Sequence, residues 1–570
     1  MKQYFPFLDW IKNYKKADFS GDLSAGLTVG VMLIPQGMAY SMLAGLPPIY
    51  GLYASTIPLI IYALFGTSRQ LAVGPVAMVA LLISSGVGAL AELGSAEFIA
   101  LAITLALMVG VIQFAMGAFK LGFLVNFLSH PVIAGFTSAA ALIIGFSQLK
   151  HLLGIDIPRG KVHETIINVF QNYEAINFPT LMIGAGAIIL LLIIKKVGKK
   201  IPGPLVVVIF GIAAVYFLGL FEQGVKIVKE VPDGLPAFGL PSFDLENMQA
   251  LLPIALTISF VGFMESIAVA KAIQNKHKNY EVSSNQELIG LGLANIFGSF
   301  FKAFPVTGGF SRTAVNDQAG AKTGLASIIS AVLIILTLLF LTDYFYYLPK
   351  AVLAAIIMVA VFGLIDTQEA KHLWKTDKKD FALFMVTAIG TLSLGIEEGI
   401  LIGVVLSMAM VIYRVSYPHI AELGRIPETN IFRNVNRFDN LEVQDDVLIT
   451  RFDAQLYFAN LGYFKDYLYQ KLEERPNIKH FILDAGSINS IDSSALHMLK
   501  DLIVDLDQNG ISFYIVELKG PIRDILVKNN IMIEDGQAHF FISTDDALAH
   551  INNSNSKDLK EFVYQTNQKH

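Results

Sequence analysis

The sequence lacks cysteine altogether and has little charge for its length. Without cysteine, disulfides and thiolate metal sites are excluded. Only 16% of the 570 residues are charged, compared with about 25% in soluble domains, while 54% are hydrophobic. The 11 histidines show no close spacing of the kind that zinc ligands have. We therefore expect a membrane protein with no catalytic constellation, metal site, cofactor or nucleic-acid partner, and not an enzyme.

Apolar segments long enough to cross a bilayer fill the region from residue 20 to residue 416. Because a transmembrane helix needs roughly 20 apolar residues, about fourteen spans are predicted, two of which are short. The predicted spans are 24–43, 49–66, 75–90, 97–117, 122–147, 178–196, 202–221, 248–273, 285–303, 310–320, 323–342, 347–365, 380–396 and 398–416. The lipid bilayer is thus an expected partner of most of the chain.

Lysine and arginine are distributed unequally between the loops. If the N-terminus is cytoplasmic, one face collects the lysines of 195–200, 271–278 and 371–379. The opposite face has fewer, in its longer loops: Arg159, Lys161, Lys226 and Lys229. Because positive charge accumulates on the cytoplasmic side, both termini are predicted inside the cell if the number of spans is even. The compact loops are typical of a prokaryotic protein, which favours the cell (inner) membrane.

Residues 417–570 have a charge density that is ordinary for a soluble domain, and their apolar residues follow a strand-like pattern in place of long apolar runs. VLITRFDAQLYFAN alternates like a strand, and IKHFILDAG and ISFYIVEL are short apolar strands that each follow a helical stretch. This alternation predicts a small α/β domain at 435–552, followed by a polar tail at 553–570. Upstream, residues 1–20 are expected to form a cytoplasmic segment and residues 21–418 a transmembrane domain.

Two short apolar segments in corresponding halves contain glycine and proline. LAVGPVAMVALL covers Leu71–Leu82, and AFPVTGGFSRTAV covers Ala303–Val315. Each pattern indicates an extended run followed by the start of a short helix, and paired interruptions of this kind point to a transporter's binding site. A helix that begins at mid-membrane directs unpaired N–H groups and its positive dipole end to the centre. Two such ends facing each other predict an anion site.

Two charged residues, one in the second of these segments and one in another apolar run, also stand out. Arg312 lies at the start of the second short helix, where a charge costs about 2.5–3.5 kcal/mol that anion binding would recover. Alternatively, Arg312 reaches a helix-end carbonyl or an acidic partner. Glu265, in ISFVGFMESIAVAKA, is either a proton or cation relay or a salt-bridge partner of Arg312. A carboxylate that neutralises Arg312 in the empty site would couple protonation to anion binding.

Several motifs resemble one known family. PPIYGLYASTIPLIIYALFGTSRQLAVGP, at Pro47–Pro75, resembles the sulfate transporter signature of the SulP anion transporter family, whose animal members form solute carrier family 26. GGFSRTAVNDQAGAKT and MESIAVAKA are also similar to that family's pattern. The resemblance implies a polytopic α-helical fold with a seven-plus-seven inverted repeat, core and gate domains, elevator-like alternating access and a homodimer. The soluble tail resembles the cytoplasmic α/β STAS domain of these transporters.

The resemblance also assigns residues to an anion site between the starts of the third and tenth helices. By matching motifs, the substrate-binding positions are Gln36, Tyr40, Gly74, Pro75, Val76, Ala77, Phe310, Ser311 and Arg312. Glu265 stands where proton-coupled members carry glutamate. A sodium-coupled bicarbonate member has threonine in place of Val76 and aspartate in place of Glu265. Since sodium needs several oxygen ligands, proton coupling is favoured.

The STAS-like segment SINSIDSSALHML contains a candidate regulatory serine. Ser493 follows Asp492 as in the phosphorylatable turn of anti-sigma factor antagonists, but Ala495 replaces the glycine of that turn. Phosphate at a helix start would be electrostatically favourable. The favoured alternative is that Ser493 and Ser494 cap the following helix.

Together these features predict a secondary active transporter of a small oxyanion, with sulfate as first choice and proton-coupled symport. Bicarbonate or a C4-dicarboxylate such as fumarate, with sodium or proton coupling, fits the same site chemistry. An uncoupled anion channel, a STAS-based membrane sensor and a nucleobase permease remain as alternatives. The permease is disfavoured because it would carry an acidic residue at the tenth helix, where this chain has Ser311 and Arg312. GLGLANIFGS is interpreted as a small-residue packing face.

Overall fold

The structure is a computed structural model that describes residues 5–123, 129–157, 161–197, 202–278, 280–529, 531 and 538–552. The chain forms two compact units, residues 1–407 and residues 408–570. The predicted polar tail and Arg159 lie outside the described residues.

The first unit is helical apart from two short strands. Its helices are α1 (Phe7–Lys12), α2 (Lys16–Ala44), α3 (Ile49–Tyr53), α4 (Ile57–Phe65), α5 (Ala77–Gly86), α6 (Ala96–Ala118), α7 (His130–Ser147), α8 (Leu149–Leu153), α9 (Val162–Gln171), α10 (Phe178–Val197), α11 (Gly203–Leu218), α12 (Leu245–His277), α13 (Ser284–Ser299), α14 (Phe310–Gln318), α15 (Leu325–Phe340), α16 (Lys350–Phe362), α17 (Thr367–Thr376), α18 (Lys378–Ser393) and α19 (Ile396–Ser416). The strands are β1 (Val73–Gly74) and β2 (Thr307–Gly308). The boundary between the two units falls within α19.

A helix or helix pair lies within every predicted span, although residues 124–128 of the span 122–147 lie outside the described residues. Among the described residues, six helices are long and apolar enough to cross a membrane, and further apolar helices are shorter. The first span is longer than expected, because α2 already begins at Lys16, where the Lys15 N–H donates to the Asp18 carboxylate at 3.2 Å. The short helices α5 and α14 have 10 and 9 residues. At 1.5 Å per residue, each covers roughly half of a 30 Å hydrocarbon core.

Capping side chains mark where several of the long helices begin. Ser95 accepts from the Phe98 N–H at 3.1 Å before α6, and Asp244 accepts from the Glu246 N–H at 2.9 Å before α12. Each cap satisfies one of the unpaired donors of a first turn. Polar residues at these positions therefore separate the apolar sequence into defined helices.

Contacts between helices follow an inverted repeat. The repeat is seen when helices of the first half are matched in order with helices of the second half: α2, α4, α5, α6, α7 and α10 with α12, α13, α14, α15, α16 and α18. Most pairs of helices that pack on each other in one half then have an equivalent pair. Thus α2 packs on α15 as α12 packs on α6, and α7 packs on α18 as α16 packs on α10. The equivalent strands β1 and β2 pair antiparallel, so the two halves run in opposite directions. This is the inverted arrangement that the family resemblance implies.

Small residues allow the closest helix contacts, as expected for GLGLANIFGS. A side chain at Gly292 of α13 would place its Cβ 2.5 Å from the Phe114 N–H nitrogen of α6. Gly51 of α3 is closer still, because its Cβ would lie 1.9 Å from the carbonyl oxygen of Gly37 in α2. Close approach of backbones at small residues is the usual packing mode of membrane helices.

The second unit contains an α/β fold. Its elements are β3 (Ile420–Arg425), β4 (Phe432–Asn434), β5 (Val447–Phe452), α20 (Leu461–Glu474), β6 (His480–Asp484), α21 (Ser493–Gln508), β7 (Ser512–Val516), α22 (Gly520–Lys528), β8 (Ala538–Phe541) and α23 (Thr544–Ile551). The six strands lie in the order β4-β3-β5-β6-β7-β8, with β5 to β8 parallel. The sheet begins at Ile420, before the expected boundary at residue 435, because β3 and β4 add an antiparallel edge.

The start of α21 differs from the expected serine cap. Asp492 occupies the N-cap position and its carboxylate accepts from the Ala495 N–H at 2.8 Å. Ser493 and Ser494 are the first residues of the helix itself, and both are exposed. The expectation that these serines cap α21 is therefore wrong, since the aspartate makes that hydrogen bond. A regulatory role of Ser493 stays a prediction.

The contact between Gly51 and Gly37 leads to a prediction about stability. We expect Gly51→Ala to lower the thermal midpoint of the detergent-solubilised protein, because overpacking costs about 1–3 kcal/mol and here the obstacle is backbone. Gly186→Ala in α10 is the matched control, since no heavy atom lies within 4 Å of its Cβ. Thermal unfolding, monitored by size-exclusion chromatography after heating, measures the midpoint of each variant. Equal midpoints for the two variants would contradict the prediction.

Candidate functional site

The two broken segments meet inside the first unit. Val73 of β1 pairs with Gly308 of β2, and Gly74 pairs with Thr307. The Gly309 N–H extends this ribbon by donating to the Ala72 carbonyl at 3.1 Å. Helices α5 and α14 each begin within three residues of the ribbon, as the glycine and proline pattern predicts. The ribbon therefore holds the starts of two short helices close to each other.

Arg312 crosses from the first turn of α14 to the break before α5. Its Nη1 donates to the Pro75 carbonyl at 2.6 Å. The guanidinium passes over two glycines: a Cβ at Gly309 would lie 2.9 Å from Nη2, and a Cβ at Gly74 would lie 3.5 Å from it. Gly74 also has φ +152°, a conformation that L side chains rarely adopt. The two glycines thus make room for the arginine.

The charge of Arg312 is buried and incompletely satisfied. The residue is 2% exposed, and its Nε and Nη2 have no hydrogen-bond partner among the described residues. No described carboxylate forms an ion pair with it. The sequence left open that Arg312 reaches a backbone carbonyl, and it does so at Pro75. This contact uses one of the three guanidinium nitrogens. A buried cation with open donors is costly to maintain unless an anion occupies the site.

Glu265 and Tyr40 are the titratable groups that interact electrostatically with Arg312. Glu265 of α12 is partly exposed and has no hydrogen bond or ion pair within the described part of the chain. Tyr40 of α2 is 6% exposed and interacts electrostatically with both Arg312 and Glu265. The structure therefore brings together three predicted site residues from three helices. The direct salt bridge between Glu265 and Arg312 that the sequence left open is not formed.

The remaining predicted residues divide into buried and exposed positions. Gln36, Val76 and Ala77 are buried next to the break, where α2 packs on both short helices. Phe310 and Ser311 at the start of α14 are exposed, and Phe310 has 48% of its surface accessible. The start of α14 is therefore left uncovered by the other described parts of the chain.

A hydroxyl relay attaches β2 to α12. The Gly308 N–H donates to the Ser266 Oγ at 2.8 Å, and that oxygen lies 2.6 Å from the Thr307 Oγ1. The Thr307 hydroxyl in turn donates to the Gly262 carbonyl at 2.6 Å. Because Ser266 directly follows Glu265, these hydrogen bonds also hold the backbone of α12 at Glu265 next to the ribbon.

Asn295 of α13 pairs with the backbone that leads into β2. Its Oδ1 accepts from the Val306 N–H at 2.8 Å, while its Nδ2 donates to the Val306 carbonyl at 3.1 Å. The same Nδ2 lies 3.2 Å from the Oε1 of Gln113 in α6. All three residues are buried. Asn295 therefore supplies the donor and acceptor that a continuous helix would have given to Val306.

The first broken segment is held by side chains of α14. The Ala72 N–H donates to the Thr313 Oγ1 at 3.0 Å, and the Asn316 Nδ2 donates to the Gln70 carbonyl at 2.9 Å. Sequence reasoning missed these positioning residues along with Ser266 and Asn295. The available signal was a polar residue inside an apolar helix, such as the asparagine of GLGLANIFGS.

Asn295 gives a prediction about the geometry of the site. Asn295→Asp keeps the acceptor for the Val306 N–H but places oxygen against the Val306 carbonyl and Gln113, so we expect at least a tenfold loss of anion uptake. An unsatisfied buried polar group costs about 1–3 kcal/mol. Asn172→Asp is the control, because that asparagine is exposed and makes a local backbone contact. Full uptake by Asn295→Asp would contradict a positioning role.

Comparison with known proteins agrees with this architecture. Residues 19–387 match the model of the sulfate permease family, and residues 440–547 match that of the STAS domain. "Sulfate transporter 4.1, chloroplastic" of Arabidopsis thaliana is 41% identical, over 97% of this chain and 84% of that protein. "High affinity sulfate transporter 2" of Stylosanthes hamata is 34% identical, over 96% of this chain and 86% of that protein.

A solved structure shares the fold over nearly its whole length. The murine Solute Carrier 26 family member A9 anion transporter, in the inward-facing state, has a TM-score of 0.89 at 28% identity. The match covers 97% of this chain and 94% of that one. The helical membrane unit and the C-terminal α/β fold thus agree with the family models, the sequence relatives and the solved structure. The chain belongs to the sulfate permease (SulP) family, whose members are transporters and not enzymes, and it carries the family's STAS domain.

Proposed function

We propose that this chain is a secondary active transporter that carries a small oxyanion, with sulfate as the first candidate. The observation that carries the proposal is the buried guanidinium of Arg312, which has open donors between two helix starts. An oxyanion offers several acceptor oxygens to such donors and to the positive ends of helices. The names of the plant relatives favour sulfate among the oxyanions.

Charge at the site supports proton coupling as part of the proposal. An ionised Glu265 has a charge opposite to that of Arg312 and interacts with it electrostatically. A dianion that binds Arg312 is repelled by the nearby carboxylate unless that carboxylate has taken up a proton. Binding of the anion and binding of the proton would then favour each other reciprocally. Symport of sulfate with a proton follows from this coupling.

Alternating access is proposed to move the short-helix ribbon relative to the surrounding helices in an elevator-like manner. The hydrogen bonds that join β1, β2, α12, α13 and α14 support this, because they make the site one rigid piece. A homodimer, an inner-membrane location, cytoplasmic termini and the expected domain boundaries stay predictions. Bicarbonate and fumarate share the recognition chemistry of sulfate and are the competing substrates in any test.

The first test measures uptake of radiolabelled sulfate into proteoliposomes. We expect Arg312→Ala to lose at least 99% of the uptake, because the anion loses its cation and the bilayer interior offers no replacement. Arg433→Ala, which removes an exposed arginine of β4, is the control and should leave uptake unchanged. Competition by bicarbonate and fumarate ranks the substrates. Sulfate uptake that survives Arg312→Ala would overturn the proposed site.

The second test concerns the proton. We expect an inward proton gradient to drive sulfate accumulation by the native protein, and Glu265→Gln to abolish this accumulation while sulfate exchange continues. A pH-sensitive dye inside the vesicles reports the accompanying proton entry. Glu246→Gln, at the exposed start of the same helix, is the matched control. An unchanged response to the gradient in Glu265→Gln would rule out this residue as the coupling group.

A further inference from the structure

A cavity of about 450 Å³ lies on the side of the first unit where α2 and α5 end. Leu43 of α2 and Leu81 of α5 line one wall. The other walls come from α7, α8, α9 and α18, with Ser147, Lys150 and Thr391 among the lining residues. The cavity therefore lies between α2 and α5 on one side and these four helices on the other.

Two helices independently place this cavity next to the anion site. Tyr40 belongs to the site and Leu43 to the cavity, three residues further along α2. Ala77 belongs to the site and Leu81 to the cavity, four residues further along α5. At 1.5 Å per residue these steps amount to roughly 4.5 Å along α2 and 6 Å along α5. The cavity therefore lies about one helical turn beyond the anion site along both α2 and α5.

The lining of the cavity favours anions. Lys150, His151 and Lys161 contribute basic groups, whereas Glu164 is the one carboxylate among the described lining residues. Glu164 already accepts from the Lys161 backbone N–H at 2.8 Å, at the start of α9. Serine, threonine and glutamine side chains also line the cavity, but the Ser147 and Thr391 hydroxyls already donate to the Ile144 and Thr387 carbonyls. An oxyanion would thus meet a net positive charge from the lysines.

Basic residues are scarce on this face, as the loop composition shows, and several of them gather near the cavity. Lys226 donates to the Asp156 carboxylate at 2.6 Å. This hydrogen bond lowers the pKa of the exposed Asp156, and the charges of Lys150 and His151 lower it further. Basic residues therefore outnumber carboxylates around the cavity and the loop beside it.

We propose that this cavity is a second anion site, in which Lys150 and Lys161 hold a hydrated oxyanion before it reaches Arg312. The inference rests on the proposed transport function and adds an entry site to it. Since a water molecule occupies roughly 30 Å³, the cavity has room for an oxyanion with part of its hydration shell. Weak binding there raises the local substrate concentration, so it affects KM and leaves the maximal rate unchanged.

The test compares sulfate uptake kinetics from the two faces of the membrane, in right-side-out and inside-out vesicles. For sulfate presented to the cavity face, we expect the Lys150→Gln, Lys161→Gln double variant to raise KM about three- to tenfold with an unchanged maximal rate. The charge-preserving double change to arginine should keep the native KM. Lys161→Gln alone, at an exposed position before α9, should raise KM about twofold and does not disturb α8.

Lys371→Gln with Lys375→Gln is the matched control, because it removes the same charge from exposed positions of α17 away from the cavity. An unchanged KM in the cavity variants would overturn the inference, as would an equal rise from both faces or a lowered maximal rate alone. Absence of uptake of any anion by the native protein would instead overturn the proposed function itself. Native transport with unaltered variant kinetics overturns the entry site and leaves the function intact.

Discussion

Inside a bilayer, every backbone N–H and C=O that leaves a helix must find another partner, and the membrane unit depends on how this requirement is met. Two of the places where the chain leaves helical geometry are the extended segments before α5 and before α14. The two extended segments pair with each other, so each break supplies the partners of the other. Side chains from α12, α13 and α14 satisfy further groups, as Ser266, Asn295 and Thr313 show.

The reciprocal pairing places Arg312 where its charge has few protein partners. The Pro75 carbonyl engages Nη1, and Gly74 and Gly309 leave space over which the guanidinium extends. Had a carboxylate stood within contact, the site would be neutral and closed to anions. Instead, Glu265 interacts with Arg312 electrostatically without touching it. The arginine can therefore still attract an anion, and the charge of that anion can act on Glu265. The inverted contacts of the other helices hold these breaks opposite each other.

Much of the fold could be predicted because long apolar runs identify membrane spans whatever their packing. The interruption at Ala303–Val315 was also predictable, since a glycine pair and an arginine are unfavourable in a lipid-facing helix. The roles of Asn295 and Ser266 could not be predicted, because a polar residue in an apolar helix does not reveal its partner. The cap of α21 was assigned to the wrong residue, since Asp492 and Ser493 are both good capping types and backbone geometry decides between them.

The residue pattern alone establishes a polytopic membrane unit, an α/β tail, two interrupted helices and an arginine at one interruption. These features follow from composition and local periodicity, which act over a few residues. Tertiary structure decided that the interruptions pair, that Arg312 reaches Pro75, and that Glu265 remains apart from it. It also decided that Lys150 and Lys161 line one cavity next to the site. Such relations join residues up to hundreds of positions apart, and only packing in three dimensions sets them.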